Sequence, residues 1–580
     1  MGDQGGLTRR QVLAGAAAAS LGTITLSASR ARAAGKWDHE TDILVVGSGV
    51  GASTAAVVAH ENGDTVIVID KAPIPGGTSA KSAGVLWIPN NFTLKAKGIA
   101  DEKDDCLKYM ARYSYPERYA ASSSNLGLSE SEYALLEASY DNASNAIDFL
   151  REKEALNVAE WRMFALDRSA TDYLDHVPEN KVPAGRALGP VKDDGTTGGG
   201  VDMMAQLHAA LRERNISILL GHRAMRLVKN DAGRVVGVEA DADGQVVSLR
   251  ARKAVIFATG GYVHNPQFVA NYQRNRLYGS CAMPWATGDF INIAGAGGAR
   301  LGNMGGAWRT QIVLEEALQS SKLAAGVFFP PGDSMLQVNK YGVRVVNENR
   351  NYNDRTEAHG IYNASQAEFP NELLFMVYDQ RTAEAFAGAY PLPGKPTEAA
   401  HVLTGESLEA LTARIEQRLA EISSQTGGFS LAPSFADNLQ ATISRFNGFA
   451  RAGKDEDFHR GDAAYDSEWH MVFSPMRTDT EWPQNGGPSI TMHPLRGEGP
   501  YYAMILAAGC LDTNGGPVID SSARVLNTED QPIAGLYGAG NCIASPSREA
   551  YWGAGHTLGL SLTFGYIAAN AAHREPRDDA

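Results

Sequence analysis

Short apolar runs alternate with amphipathic stretches through the first half of the chain. Residues 42–46 (Asp-Ile-Leu-Val-Val) form an apolar run with β-branched members, the pattern of a strand buried on both faces. Residues 53–62 read as a helix that stops at Gly63-Asp64, and residues 65–69 make a second strand finishing at Asp70. An amphipathic helix is predicted over 201–214 and another strand over 254–257. Beyond about Asn303 this strand–helix rhythm fades. Two helices stand out there. One spans 408–424 with a stripe of Leu411, Ile415, Leu419 and Ile422; the other spans 435–452 with Leu439, Ile443, Phe446 and Phe449. Both stripes predict core rather than a ligand box. The pattern predicts an α/β fold (α+β overall), a Rossmann-like nucleotide-binding domain in two pieces, 34–303 and 496–580. A substrate or capping domain, 304–495, is inserted between them.

The first strand runs into Gly47-Ser48-Gly49-Val50-Gly51-Ala52, a G-x-G-x-x-A turn, then the helix that begins near Ser53. Strand, glycine turn, helix, strand and terminal acid are the parts of a dinucleotide-binding unit. Gly47 permits the tight turn, Gly49 lets the backbone approach a pyrophosphate, and Ala52 allows close helix packing. The helix N-terminus favours the phosphates, and Asp70 is placed to accept from a ribose.

Composition narrows the partners. The 580 residues are 44% hydrophobic and 20% charged, with a net charge of −14, which argues against nucleic acid. Four widely separated cysteines form no CxxC or metal-ligand spacing, so no built-in metal is predicted. Arg9-Arg10, a weakly apolar stretch to about Ser29 and Ala31-Arg32-Ala33 match a twin-arginine signal peptide over 1–33. The expectation is an exported, periplasmic protein that carries its cofactor out already folded. No other run approaches 18 apolar residues, so no transmembrane segment is expected in the mature form.

Further glycine-rich segments choose among dinucleotides. Gly76-Gly77-Thr78-Ser79-Ala80-Lys81-Ser82-Ala83-Gly84 is a small-residue loop that can crowd a flat ring. With Gly198-Gly199-Gly200, Arg223-Ala224, Ala258-Thr259-Gly260-Gly261 and Gly535 to Asn541, it resembles the flavoprotein family of fumarate reductases and 3-ketosteroid dehydrogenases. The resemblance implies FAD. It implies cofactor contacts at Gly47, Ser48, Gly49, Ala52, Ser53, Asp70, Lys71, Gly77, Thr78, Ser79, Ser82, Ala83, Gly84, Ala224, Thr259, Gly260, Gly540, Asn541 and Leu558. Succinate-oxidising relatives attach FAD through a His in the segment matching 76–84. None occurs there, which implies noncovalent FAD.

Within the family, dicarboxylate reductases hold substrate with arginines and histidines. Three such places are changed here: Tyr352 stands where the family's proton-donating Arg follows Asn347-Glu348, the His pair becomes Gly509-Cys510-Leu511-Asp512-Thr513, and the acid-binding motif becomes Gly553-Ala554-Gly555-His556. The same places resemble a 3-ketosteroid Δ1-dehydrogenase, whose C-terminal motif this chain renders as Tyr551-Trp552-Gly553-Ala554-Gly555-His556-Thr557-Leu558-Gly559. The resemblance implies Tyr352 as the base beside the ketone, with Tyr173 assisting, and Tyr551 with the Gly555 amide on the ketone oxygen. It also implies an apolar 3-ketosteroid substrate and an external acceptor, a quinone or redox protein. A Δ4-dehydrogenase and an exported enone or acrylate reductase are the competing readings. Trp552, His556 and Arg548 depart from the motif or sit beside it, and their roles are open at this level. Tyr501 and Tyr502 are expected as strand residues of the nucleotide domain.

Overall fold

A computed structural model describes residues 37–163, 167–323, 328–472 and 486–579. The predicted twin-arginine leader lies outside the described residues. Strand β1 (His39–Val46) leads through α1 (Val50–Glu61) to β2 (Val66–Asp70). Helix α2 (Gly200–Glu213) precedes β3 (Ser217–Leu220), followed by β4 (His222–Lys229), β5 (Val235–Ala242) and β6 (Gln245–Phe257). A second body contains β7 (Ala307–Val313), β8 (Met335–Val338), α3 (Tyr352–Thr356), β9 (Leu373–Asp379) and β10 (Leu403–Gly405). Helices α4 (Leu408–Glu421), α5 (Phe435–Ala452) and α6 (Ala464–Val472) follow. The chain ends with β11 (Tyr501–Thr513), β12 (Arg524–Leu526), β13 (Pro532–Gly538) and α7 (His556–His573).

Among the described residues the first sheet has eight strands, in the order β12-β13-β6-β1-β2-β3, with β5 pairing β6 and β4. The β3, β2, β1, β6 and β13 neighbours are parallel, as a doubly wound nucleotide fold requires. β1 is buried over its last six residues because α1 and α7 cover the sheet. Those helices meet where Gly51 of α1 lies against Ser561 and Gly565 of α7, so their backbones approach closely. The α/β reading is borne out.

The second sheet has six strands among the described residues and is built on β11, which pairs with β7, β9 and β10, while β8 pairs with β9. The stripes of α4 and α5 close its core: Leu411, Ile415, Leu419, Leu439, Ile443 and Phe446 all pack there. One sequence expectation is corrected. Tyr501 and Tyr502 pair with Gly405 and Thr404 of β10 and with Asp379 and Tyr378 of β9, so they belong to the second sheet and not to the nucleotide domain. The returning chain completes the inserted sheet as far as Thr513 before rejoining the first at β12. A buried apolar run announces a strand, but it does not say which sheet will pair with it.

Candidate active site

A cavity of about 600 Å³ opens where both sheets contribute walls. Its nucleotide end is lined by every sequence-predicted cofactor residue except Ala52 and Ser53. Those two are fully buried behind the wall, and the Ser53 hydroxyl donates to the Ser48 carbonyl at 3.2 Å. Ser48 Oγ donates to Asp70 Oδ2 at 2.6 Å and accepts from the Gly76 amide at 2.9 Å, tying the glycine turn to β2 and to the 76–84 loop. Gly47 sits at φ +111°, and a Cβ there would lie 2.3 Å from the Ala258 carbonyl oxygen. The N-cap of helix α1, Gly49, supplies no side-chain cap; the Val50 amide donates to Ser79 Oγ of the 76–84 loop at 3.1 Å, and the positive dipole end of the helix faces the cavity. Lys71 lines the wall, but its ammonium is held by Thr287 Oγ1 (2.6 Å) and Asp289 (2.9 Å).

The other end is aromatic. Tyr352 is the first residue of α3, where Asn351 accepts from the Asp354 amide at 2.9 Å and starts the helix. Arg355, one turn on and fully buried, donates to Gln311 Oε1 and to the carbonyls of Phe328, Glu348 and Arg350. Burial draws that guanidinium down to about 10. The segment that carries Tyr352 is thereby fixed from below.

Tyr173 arrives from the first body. Its amide donates to the Trp552 carbonyl at 3.1 Å, and Asp172 pairs with Gly553 in a backbone bridge. The Asp172 carboxylate is held by Arg186 (2.5 Å) and by Trp87 Nε1 (2.8 Å), and Arg186 also grips Asp101 (2.6 Å). This buried network aligns the 171–173 segment with the 551–555 loop. The rings of Tyr173 and Tyr551 stack at 5.2 Å and 16° as a result. The Tyr173 hydroxyl donates to the Tyr352 hydroxyl at 2.9 Å.

The three phenols are not equivalent. Burial raises the pKa of each, Tyr173 and Tyr551 most strongly. Hydrogen bonds from Tyr173 and Tyr551 pull Tyr352 back down, whereas the same bonds push the two donors further up. Tyr352 is therefore the member whose anion the cluster supports.

Gly555, the N-cap of α7, lines the cavity at φ +86°. A Cβ there would sit 2.4 Å from the Val85 carbonyl, so only glycine lets this main chain form the cavity wall. The residues left open by sequence now have places. His556 is fully buried off the wall, with Nε2 at 2.8 Å from Ser547 Oγ and its ring boxed by Trp87, Trp308, Tyr551 and Trp552. Burial takes its pKa down to about 3, so the imidazole is neutral. Trp552 is also buried, donating to Ser114 Oγ at 3.0 Å. Arg548 is a half-exposed surface cation paired with Glu117 at 2.5 Å.

Sequence reasoning missed much of the aromatic wall. Trp161 and Trp469 stack at 5.8 Å, Phe329 and Trp469 at 4.9 Å and 6°, and Trp308 meets Tyr551 edge-on at 5.4 Å. All four line the cavity, as do Cys281, Leu511 and Asp512. No local motif announces the four aromatics, because distant segments bring them together, whereas Leu511 and Asp512 lie in the Gly509–Thr513 segment whose cavity position the sequence does not show.

The chain matches the FAD binding domain family model over residues 42–558. It is 32% identical to the 4-oxocyclohexanecarboxylate 2-dehydrogenase of Sinomonas cyclohexanicum, covering 91% of this chain and 92% of that enzyme. It is 30% identical to the 3-oxosteroid 1-dehydrogenase of Mycolicibacterium smegmatis, over 92% of this chain and 97% of that one. Among solved structures it is similar to the 3-ketosteroid Δ1-dehydrogenase of Sterolibacterium denitrificans in complex with 1,4-androstadiene-3,17-dione. That likeness has a TM-score of 0.74 and 26% identity, and covers 92% of this chain and 99% of that one. The chain belongs to the FAD-binding flavoprotein family, and it is an FAD-dependent oxidoreductase. The resemblance to 3-ketosteroid dehydrogenases is borne out. The residues present also suit the cofactor: a helix that starts on Gly49 at the cavity wall, a glycine turn closed to any Cβ at Gly47 and an acid at the end of β2 form a dinucleotide cradle.

Proposed function

We propose that this chain desaturates ring A of a 3-ketosteroid at the Δ1 position, holding FAD noncovalently. The observation that carries the reading is the Tyr173–Tyr352–Tyr551 cluster, with both neighbours donating to Tyr352, at the aromatic end of the cavity. Placing a double bond beside a ketone needs a base for the α proton and donors for the charge that grows on the ketone oxygen. Tyr352 is the base. A free tyrosine ionises near pH 10, and the two donated hydrogen bonds offset part of what burial adds. With substrate bound, the single Tyr551 O–H turns from Tyr352 to the ketone oxygen, which it receives together with the Gly555 amide while Tyr173 remains the donor to Tyr352. Each ketone donor contributes about 3–4 kcal/mol to the transition state. Bound FAD supplies the hydride acceptor. The stacked Trp161, Trp469 and Phe329 exclude water and offer flat apolar faces to a fused-ring substrate.

A small carboxylated ketone is the second reading, favoured by the 32% identity to the 4-oxocyclohexanecarboxylate enzyme. The geometry supports it less. A carboxylate needs a cation: Lys71 on the cavity wall is already paired with Asp289, and Lys81, a cation whose ammonium donates to the Leu323 carbonyl, is an exposed residue outside the tyrosine cluster. Among the described residues no arginine lines the cavity, so dicarboxylate or acrylate reduction lacks a clamp there. Export by the twin-arginine route, with a quinone or redox protein as acceptor, completes the proposal.

The test is the purified holoenzyme with androst-4-ene-3,17-dione and a dye acceptor, scored by product identity, with 4-oxocyclohexanecarboxylate in parallel. The 1,4-diene is expected. A Δ4 product from a 5α-steroid without 1,4-diene would move the double bond. Turnover of the cyclohexane acid alone would replace the steroid reading.

A further inference from the structure

Asp512 is a buried acid on the cavity wall. It is 2% exposed and belongs to neither the nucleotide motif nor the tyrosine cluster. Oδ2 accepts from the Gly261 amide (2.8 Å) and from Asn541 Nδ2 (3.3 Å), and Oδ1 accepts from the Thr513 amide (2.9 Å). Every one of these donors is neutral. Gly261 must lack a side chain for this approach, since a Cβ there would lie 2.4 Å from Asp512 Oδ1. Asp172, the comparably buried acid beside Tyr173, has Arg186 at 2.5 Å.

Asp512 lies where the 259–261 and 540–541 cofactor segments meet the tyrosine cluster. Asn541 accepts from Trp308 Nε1 at 2.9 Å and from Thr557 Oγ1 at 3.0 Å, and Trp308 packs edge-on against Tyr551. Leu511, its neighbour, packs on the tyrosine cluster. Hydride transfer requires the redox-active ring to lie beside substrate at that same end, so the Asp512 carboxyl borders the space that ring must share. Among the described residues the titratable groups around it supply no counterion. Tyr262 on the 260–262 segment, Cys281, and Cys510 on its own strand are all raised by burial and neutral. Arg309 on β7 pairs with Glu357 at 2.6 Å.

We propose that Asp512 binds a proton when the bound flavin is reduced and releases it on reoxidation. Hydride transfer breaks a C–H bond of the substrate and carries two electrons and one proton to the flavin, adding one negative charge. The α proton goes to Tyr352. The Asp512 carboxylate then takes a proton from solvent, forming an O–H bond that cancels the added charge. Two-electron oxidation by a dye or quinone reverses the step. Burial among neutral donors has already drawn this carboxyl up to about 6, so a neighbouring negative charge moves it through neutral pH. The inference rests on FAD binding at this cavity and not on the identity of the steroid.

The test is a redox titration of substrate-free holoenzyme between pH 5.5 and 8, comparing wild type with Asp512→Asn. Wild type should bind one proton more per two electrons above about pH 6. That is an extra tenfold per pH unit in the reduction equilibrium, or about 30 mV per pH unit for a two-electron couple. The variant should lack this added slope. Reduced-minus-oxidised infrared spectra of wild type should show a protonated-carboxyl band that shifts in D2O, and this decides the matter even if Asp512→Asn binds FAD poorly. Equal slopes in the two proteins, or no carboxyl band in wild type, overturn the proposal. Either result leaves the steroid assay above unaffected.

Discussion

At one end of the cavity the wall is main chain: the Gly47–Gly49 turn, the start of α1 and the 76–84 loop, joined by Ser48 and closed by Asp70. At the other end it is side chain, with three tyrosines, three tryptophans and Phe329 supplied by segments hundreds of residues apart. The first end binds through amides and a helix dipole, which any phosphate accepts, so its sequence needs small residues at fixed spacing. The second end must place a base and two donors within hydrogen-bond reach of one ketone, and it relies on buried scaffolds such as Asp172–Arg186–Asp101 and the Arg355 anchor. Chemistry can therefore change at the aromatic end while the nucleotide end stays as it is.

That contrast predicts separable losses. Gly47→Val should have the largest effect: φ +111° and a Cβ 2.3 Å from the Ala258 oxygen leave no room for the turn. The protein should purify with little or no flavin absorbance, and all turnover should vanish with it. Full flavin occupancy in this variant would show that the turn does not govern binding.

Tyr352→Phe should do the opposite, keeping flavin absorbance while lowering kcat by roughly 10²–10⁴-fold, the usual worth of a positioned acid or base. Tyr551→Phe should cost somewhat less, about 10²–10³-fold, as one of two donors on the ketone oxygen is lost. Steady-state kinetics with flavin-normalised enzyme separates these outcomes. A Tyr352→Phe enzyme with near-normal kcat would move the base elsewhere in the cluster.

The same contrast explains what could be read before the structure. The nucleotide end was legible because its residues are contiguous and each glycine has a local reason to be glycine. The tyrosines at 352 and 551 are legible only through likeness to a family motif, and Tyr173 only through the assisting role that this likeness implies. Trp161, Trp308, Phe329 and Trp469 carried no signal, because a buried aromatic in a core and one on a cavity wall look alike in sequence. The pairing of Tyr501 and Tyr502 with the second sheet was hidden for a related reason, since strand patterns do not encode partners.

His556 gives the smallest predicted effect and the sharpest sign. In the native protein it is held neutral, its pKa lowered to about 3, whereas an unfolded histidine titrates near 6.5. Between those values the unfolded chain binds a proton that the folded one refuses, so stability is present above pH 6.5 and drains away as pH falls toward 3. The slope from one such group is at most about 1.4 kcal/mol per pH unit. His359 and His470 are buried alike, each lowered to about 4, and add to the same acid lability. His556→Phe keeps an aromatic ring among Trp87, Trp308, Tyr551 and Trp552 but loses the bond to Ser547, whose hydroxyl retains Ser545 at 3.1 Å. The variant should be less stable than wild type at pH 7.5, by about 1 kcal/mol for the lost hydrogen bond. It should close or reverse that gap by pH 4.5. Denaturant unfolding of holoenzyme at the two pH values measures the difference, and a gap that widens in acid would mean that His556 is charged in the folded protein. A charged imidazole there would place a cation beside Tyr551, and the ketone end would then have to be redrawn as an ionic site like those of its dicarboxylate-reducing relatives.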